Sequence, residues 1–334
     1  MIRSNIFRMI LLIALVSLIT DTAWVPAPSQ PDASSTRIRF ARGATSAEVS
    51  GDIRANTSIS YVLRASARQL MDVSLSAPEG ARLKVTTTGG KRVTPIEGTS
   101  GSTGFRGYLP YTGDYTLTIS SGSRKISYSL NVFIPVRVSF DRGATSDTIE
   151  GHLKAHQGLD YILRAGEGQI LEINVTPEDD DDELQLIIYG VDGDVLRSGR
   201  GEGSSFRGEL PTSQDYIVSV RAGDEAADFE MDVIIPQRIS FKRGDVSGSV
   251  STTLPAYHTQ YYVLRAMEDQ TMKVKISPDD DIVLVVYGAD GTVLQDEEDA
   301  EADFSGELPS DQDYILAVSA DDHRVSYRLR VTIR

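Results

Sequence analysis

From about residue 36 onward the chain alternates apolar and polar residues, and turn-forming residues interrupt the alternation roughly every eight to twelve positions. A period of two is what an antiparallel strand shows when one face meets a core and the other meets water. Residues 172–175 and 272–276 follow it closely. Two richer apolar runs, Leu184 to Tyr189 and Ile282 to Tyr287, predict central strands. Gly89-Gly90, Asp192-Gly193 and Asp290-Gly291 predict tight hairpins, because these pairs tolerate the positive φ of primed turns. Nothing in this part of the chain has a helical period. The prediction is an all-β chain of antiparallel sandwiches, with roughly eight or nine short strands per domain.

The pattern is written three times. Arg37, Phe40, Gly43 and Ser46 return as Arg137, Phe140, Gly143 and Ser146, and again as Arg238, Phe241, Gly244 and Ser247. Tyr61-Val-Leu-Arg-Ala65 returns at 161–165 and 262–266 with one conservative change. Leu109-Pro110 with Asp114-Tyr115 returns as Leu210-Pro211 with Asp215-Tyr216 and as Leu308-Pro309 with Asp313-Tyr314. The phenylalanines lie 100 and 101 residues apart, well beyond the ~20–50 residues of repeats that need neighbours to complete a core. Three domains are expected, at 36–135, 136–236 and 237–334, joined almost without linker near Pro135 and Pro236. Such joints predict a rod of modest flexibility.

Residues 1–27 read as an export signal with a Pro-rich leader: Arg3 and Arg8 precede an apolar run from Met9 to Ile19 that is too short to span a bilayer as a helix. A secreted, periplasmic or surface location follows, with the membrane touched only through that segment if it is uncleaved. The chain has no cysteine, which excludes disulfides, thiolate metal sites and a lipoprotein anchor. Net charge is −15 and unevenly divided. Residues 36–135 hold 13 Lys and Arg against 6 Asp and Glu, residues 136–236 hold 8 against 22, and residues 237–334 hold 10 against 18. A basic first repeat beside acidic ones suits head-to-tail association or attachment to an anionic polymer. Nucleic acid is not an expected partner, since the basic residues lack interleaved aromatics.

No catalytic constellation stands out. The four histidines do not recur, no serine sits in a nucleophile-elbow context, and no glycine loop precedes a helix. What recurs is framework-like. Tyr115, Tyr216 and Tyr314 follow a Leu-Pro turn, as the tyrosine of an immunoglobulin-type corner does. Arg64, Arg164 and Arg265 stand in apolar strands, which places each in a cross-strand ion pair or makes it a ligand-binding group on a sheet face. The acidic loops with Asp179, Asp180, Asp181 and Asp182, and with Asp279, Asp280 and Asp281, are either solvated runs or calcium sites. Calcium favours several carboxylate oxygens converging from one flexible loop. No cofactor is required.

The succession Phe-x-x-Gly-x-x-Ser, Tyr-x-x-Arg-Ala, Phe-x-Gly-x-Leu-Pro and Asp-Tyr resembles the periplasmic inhibitors of goose-type lysozyme. It is also similar to bacterial pre-peptidase C-terminal domains. The resemblance covers residues 37–134, 137–235 and 238–333, and implies a jelly-roll-like, non-catalytic sandwich with ligand-facing loops. In the inhibitors it implies an arginine-bearing loop before the last strand. Here that loop holds adjacent cations, Arg124 and Lys125, in the first repeat alone. The expected function is that of a secreted binding protein for extracellular proteins or cell-wall glycan. The alternatives are lysozyme inhibition by the first repeat, and a passive spacer.

Overall fold

The structure, a computed structural model, describes residues 35–97, 101–179, 182–199, 203–278, 281–298 and 302–334; the export signal expected at residues 1–27 lies outside them. Among the described residues there are strands and turns and no helix. The first repeat holds β1 (Thr36–Arg37), β2 (Ser46–Ile53), β3 (Ser58–Ala65), β4 (Leu70–Ser76), β5 (Arg82–Thr87), β6 (Gly104–Tyr108), β7 (Gly113–Ser120) and β8 (Ile126–Phe133). The second holds β9 (Val136–Arg137), β10 (Ser146–Leu153), β11 (Gly158–Ala165), β12 (Ile170–Pro177), β13 (Leu184–Gly190), β14 (Val195–Arg197), β15 (Ser205–Glu209), β16 (Gln214–Ala222) and β17 (Ala227–Ile234). The third holds β18 (Gln237–Arg238), β19 (Ser247–Leu254), β20 (Thr259–Ala266), β21 (Thr271–Ser277), β22 (Ile282–Gly288), β23 (Val293–Gln295), β24 (Phe304–Glu307), β25 (Gln312–Ala320) and β26 (Val325–Ile333).

One strand order runs through all three. A sheet β1-β3-β7-β5 faces a sheet β2-β8-β4-β6, and the same arrangement returns as β9-β11-β16-β13-β14 with β10-β17-β12-β15, and as β18-β20-β25-β22-β23 with β19-β26-β21-β24. The two-residue opening strands run parallel to their neighbours, and the ladders that build the rest of each sheet are antiparallel. Inward residues of both sheets make the core, as in Tyr61, Leu63, Val73, Leu117, Leu130 and Val132 of the first repeat. Asp192-Gly193 closes β13 onto β14 with Gly193 at φ 99°, and Asp290-Gly291 closes β22 onto β23 with Gly291 at 91°. The turns stand where the sequence predicts, but they are not the predicted primed type: only the second residue of each pair, Gly90, Gly193 or Gly291, has a positive φ, whereas a primed turn needs it at the first position.

The apolar runs β13 and β22 are interior strands, but each alternates exposure over its first four residues and each is flanked by a three-residue edge strand. In the second repeat the strands buried on both sides are β11 and β16. The Phe-x-Gly motif also has a packing cause. The Phe105 ring folds over Gly107 so closely that a Cβ there would sit 2.8 Å from it, and Phe304 lies over Gly306 in the same way.

The described residues divide into two compact units: 35–139 with 147–233, and 140–146 with 234–334. Within the first unit, two repeats are stacked face to face instead of chained end to end as a rod. Leu70 meets Ile162, Val191 and Ile217 in a small buried cluster, with Ile96 and Tyr189 against it. Full burial of each such aliphatic side chain is worth ~1.5–3 kcal/mol.

Candidate functional site

The recurring arginines and aspartates form one device per repeat. Arg37 on β1 presents its planar fork to Asp114 at the start of β7, with N···O distances of 3.0 and 2.7 Å. Arg137 holds Asp215 at 2.8 and 2.8 Å, and Arg238 holds Asp313 at 2.9 and 2.8 Å. Bidentate charge-assisted pairs of this kind are both strong and directional. Arg64, Arg164 and Arg265 stand opposite those same aspartates in register. The cross-strand ion pair expected of them is made by the opening arginine instead, whose short parallel strand lies beside β3, β11 or β20 and sets its guanidinium on the carboxylate. Arg164 and Arg265 donate to backbone carbonyls of the corner turn, Ser213 at 3.3 Å and Asp311 at 3.0 Å.

The corner itself is as the sequence predicts. Tyr115 donates its hydroxyl to the Tyr111 carbonyl at 2.5 Å, Tyr216 to Thr212 at 2.6 Å, and Tyr314 to Ser310 at 2.7 Å. These three tyrosines are fully buried and structural.

The first repeat differs from the second in how open the device is. The Asp114 side chain is 28% exposed, whereas Asp215 is 7% exposed. Around Arg37 and Asp114 lies a cleft of about 670 Å³ lined also by Arg39, Arg64, Leu63 and Gln69. Hydrogen bonds from Arg37 outweigh desolvation and, with the fields of Arg37 and Arg64, hold the Asp114 carboxyl below the usual carboxylate range. Arg39 is replaced by Ser139 and Ser240 in the other repeats, and exposed Tyr111 on the turn leading to Asp114 by Thr212 and Ser310. The cleft thus gathers three guanidinium groups where the other repeats offer two.

In the second repeat the same device is covered. Tyr108 of β6 donates its hydroxyl to Asp215. Arg106 pairs with Asp72 at 2.6 Å, donates to the Val191 carbonyl at 3.2 Å, and lies 5.3 Å from the centre of the Tyr189 ring. Asp160, almost wholly buried, accepts from Ser219 at 2.6 Å and from Thr45 at 3.3 Å, and its own amide donates to the Thr45 hydroxyl at 2.9 Å. In the other unit the Thr145 hydroxyl accepts from the Tyr261 amide at 2.8 Å, so the recurring threonine has the same use. Burial pushes Asp215 up, but hydrogen bonds from Arg137 and Tyr108 outweigh it and hold the carboxyl low. Burial raises Asp72, only partly offset by Arg106.

The remaining sequence candidates lie elsewhere. Lys125 pairs with Asp52 at 2.9 Å on the surface, and Arg124 is exposed and makes no ion pair among the described residues. Both sit on the loop after β7, at the opposite end of that strand from Arg64, about 25 Å away along the chain direction. The structure does not bring the two sets together. Asp180, Asp181, Asp279 and Asp280 lie outside the described residues, while Asp179, Asp182 and Asp281 lie within them. Among the described residues no three metal-ligating side chains converge, and no helix is long and apolar enough to cross a membrane. Sequence reasoning missed Arg37, Arg39 and Tyr111; Arg37 was visible as the invariant opening residue of each repeat.

No family model matches the chain, and no curated protein matches it. Among solved structures it is similar to PliG of Aeromonas hydrophila, a periplasmic inhibitor of g-type lysozyme, at 27% identity over 30% of this chain and 95% of that one, with a TM-score of 0.27. The Salmonella Typhimurium counterpart is 19% identical over 30% and 96%, at 0.24. The CUB1-EGF-CUB2 segment of human MASP-1/3 is 8% identical over 57% and 100%, at 0.20.

Proposed function

We propose that the chain is a non-catalytic binding protein of the cell envelope or its surroundings, exported through residues 1–27, whose first repeat carries the ligand site. One observation supports this most: the Arg37, Arg39 and Arg64 cleft is open in the basic repeat, while the matching Arg137 and Asp215 pair in the acidic second repeat is roofed by Tyr108. Three forked cations around one fixed carboxylate select a ligand that carries both an anionic group and a hydrogen-bond donor. Wall glycan and acidic surfaces of extracellular proteins have both. The test is co-sedimentation of the signal-free protein with a peptidoglycan suspension. Binding is expected, and the double change Arg39→Glu with Arg64→Glu is expected to weaken it at least tenfold; wild-type binding by that variant removes the cleft from the function.

A second reading, inhibition of a lysozyme, is favoured by the exposure of Arg124 on the loop before β8. It predicts stoichiometric protection of peptidoglycan from goose-type lysozyme that Arg124→Glu abolishes. Protection that survives the change takes that loop out of the mechanism.

A further inference from the structure

We infer that the outward face of β3, β7 and β5 in the first repeat is a binding face for an acidic polysaccharide. This rests on the reading of the first repeat as the ligand-bearing one, and names its ligand class. The equivalent face of the second repeat is a docking surface within this same molecule, since Ile162, Ile217, Tyr189 and Val191 close there on Leu70 and Ile96. Aligned by register on the corner tyrosines, those positions in the first repeat are Val62, Thr116, Thr86 and Thr88, and Asp160 and Ser219 become Ser60 and Thr118. A surface built to receive an apolar neighbour has been rewritten almost entirely in hydroxyls; Thr86 is itself buried and Thr88 donates to the Asp114 carbonyl at 2.7 Å, so the partly exposed Ser60, Thr116 and Thr118 are the ones that face a ligand.

The rewriting has a direction. Ser60 and Thr118 stand 3.1 Å apart across β3 and β7, so hydroxyls line adjacent strands at strand spacing. A hydroxyl both donates and accepts, which is what a polyhydroxylated chain requires of its partner. Exposed Arg82 and Lys84 on β5, and Arg64 on β3, edge the face with positive charge where the second repeat has Gln185, Ile187 and Arg164. Tyr111, 55% exposed on the turn that delivers Asp114, adds a ring for a sugar to lie against. A protein partner would call for buried aromatic or aliphatic anchors, and Val62 is the one aliphatic side chain among these positions. Hydroxyl rows, flanking cations and one exposed ring match a chain of sugars bearing carboxylates.

The experiment compares retention of the signal-free chain on immobilised alginate, neutral dextran and polyglutamate. Retention on alginate at least tenfold stronger than on either control is expected. Thr116→Ile with Lys84→Glu should reduce it at least tenfold at an unchanged melting temperature. Equal retention on alginate and polyglutamate reduces the effect to charge and overturns the inference, as does failure to bind alginate or wild-type binding by the variant. Peptidoglycan binding that depends on Arg39 and Arg64, without alginate binding, sinks this face and leaves the cleft standing. Loss of both sinks both.

Discussion

The strands β3 and β7 of the first repeat and β11 and β16 of the second share order, register and corner tyrosine, yet they face different surroundings. Inward, the pairs are the same: Tyr61 and Tyr161, Leu63 and Leu163, Ala65 and Ala165. Outward, β3 and β7 alternate in burial, while β11 is buried at every position but Arg164 and β16 at every position but Arg221. The inner face makes the sandwich. The outer face decides whether a repeat stacks on its neighbour or stays open, so the two surroundings of one fold are separated by a single pleat.

The largest break in that comparison should come from truncating matched residues. Ile217→Ala removes a side chain from the cluster between the repeats and should cost about 3 kcal/mol. Thr116→Ala, its counterpart in register, should cost less than about 1 kcal/mol. Urea unfolding of both variants checks this, and equal losses would show that the two faces are equally engaged. The matched arginines come next. Arg137→Ala leaves the buried Asp215 carboxylate with Tyr108 as its remaining side-chain partner and should cost about 2 kcal/mol. Arg37→Ala, on the exposed pair, should fall within the scatter of surface substitutions.

The smallest effect is on pH dependence. Burial raises Tyr108 and Tyr189 in the joint, Tyr161 to about 12, and also the Tyr61 and Tyr128 pair in the first core. A phenol raised above its unfolded value near 10 contributes stability in full below that pH, and loses it as the pH climbs through the folded value. Urea stability should therefore be flat to about pH 10 and fall above it. Tyr108→Phe should shrink the fall slightly. An unchanged slope would show that Tyr108 contributes nothing to it.

Much of this fold was legible in the chain. The three copies, the Asp-Gly hairpins and the tyrosine corner depend on residues close in sequence, so spacing alone reports them. The partner of Asp215 was not legible, because Tyr108 lies 107 residues away and nothing local announces it. Asp160 looked like an ordinary polar residue in an alternating strand, and only packing made it a buried acceptor for Thr45 and Ser219. Arg64 was singled out for its place among apolar neighbours, while Arg39, beside it in the cleft, stood in a segment with no strand pattern to make it conspicuous.

By itself, then, the sequence determined the sandwich, the inner face of each sheet and the contrast between a basic repeat and two acidic ones, since alternation, turn chemistry and charge are local properties. The sequence also marks the outer face of the second repeat as apolar, at Ile162 and Ile217, where the first has Val62 and Thr116. What only the tertiary structure decided is what covers that face: Leu70 and Ile96 come from the first repeat, far away along the chain, and their arrival depends on how whole domains pack.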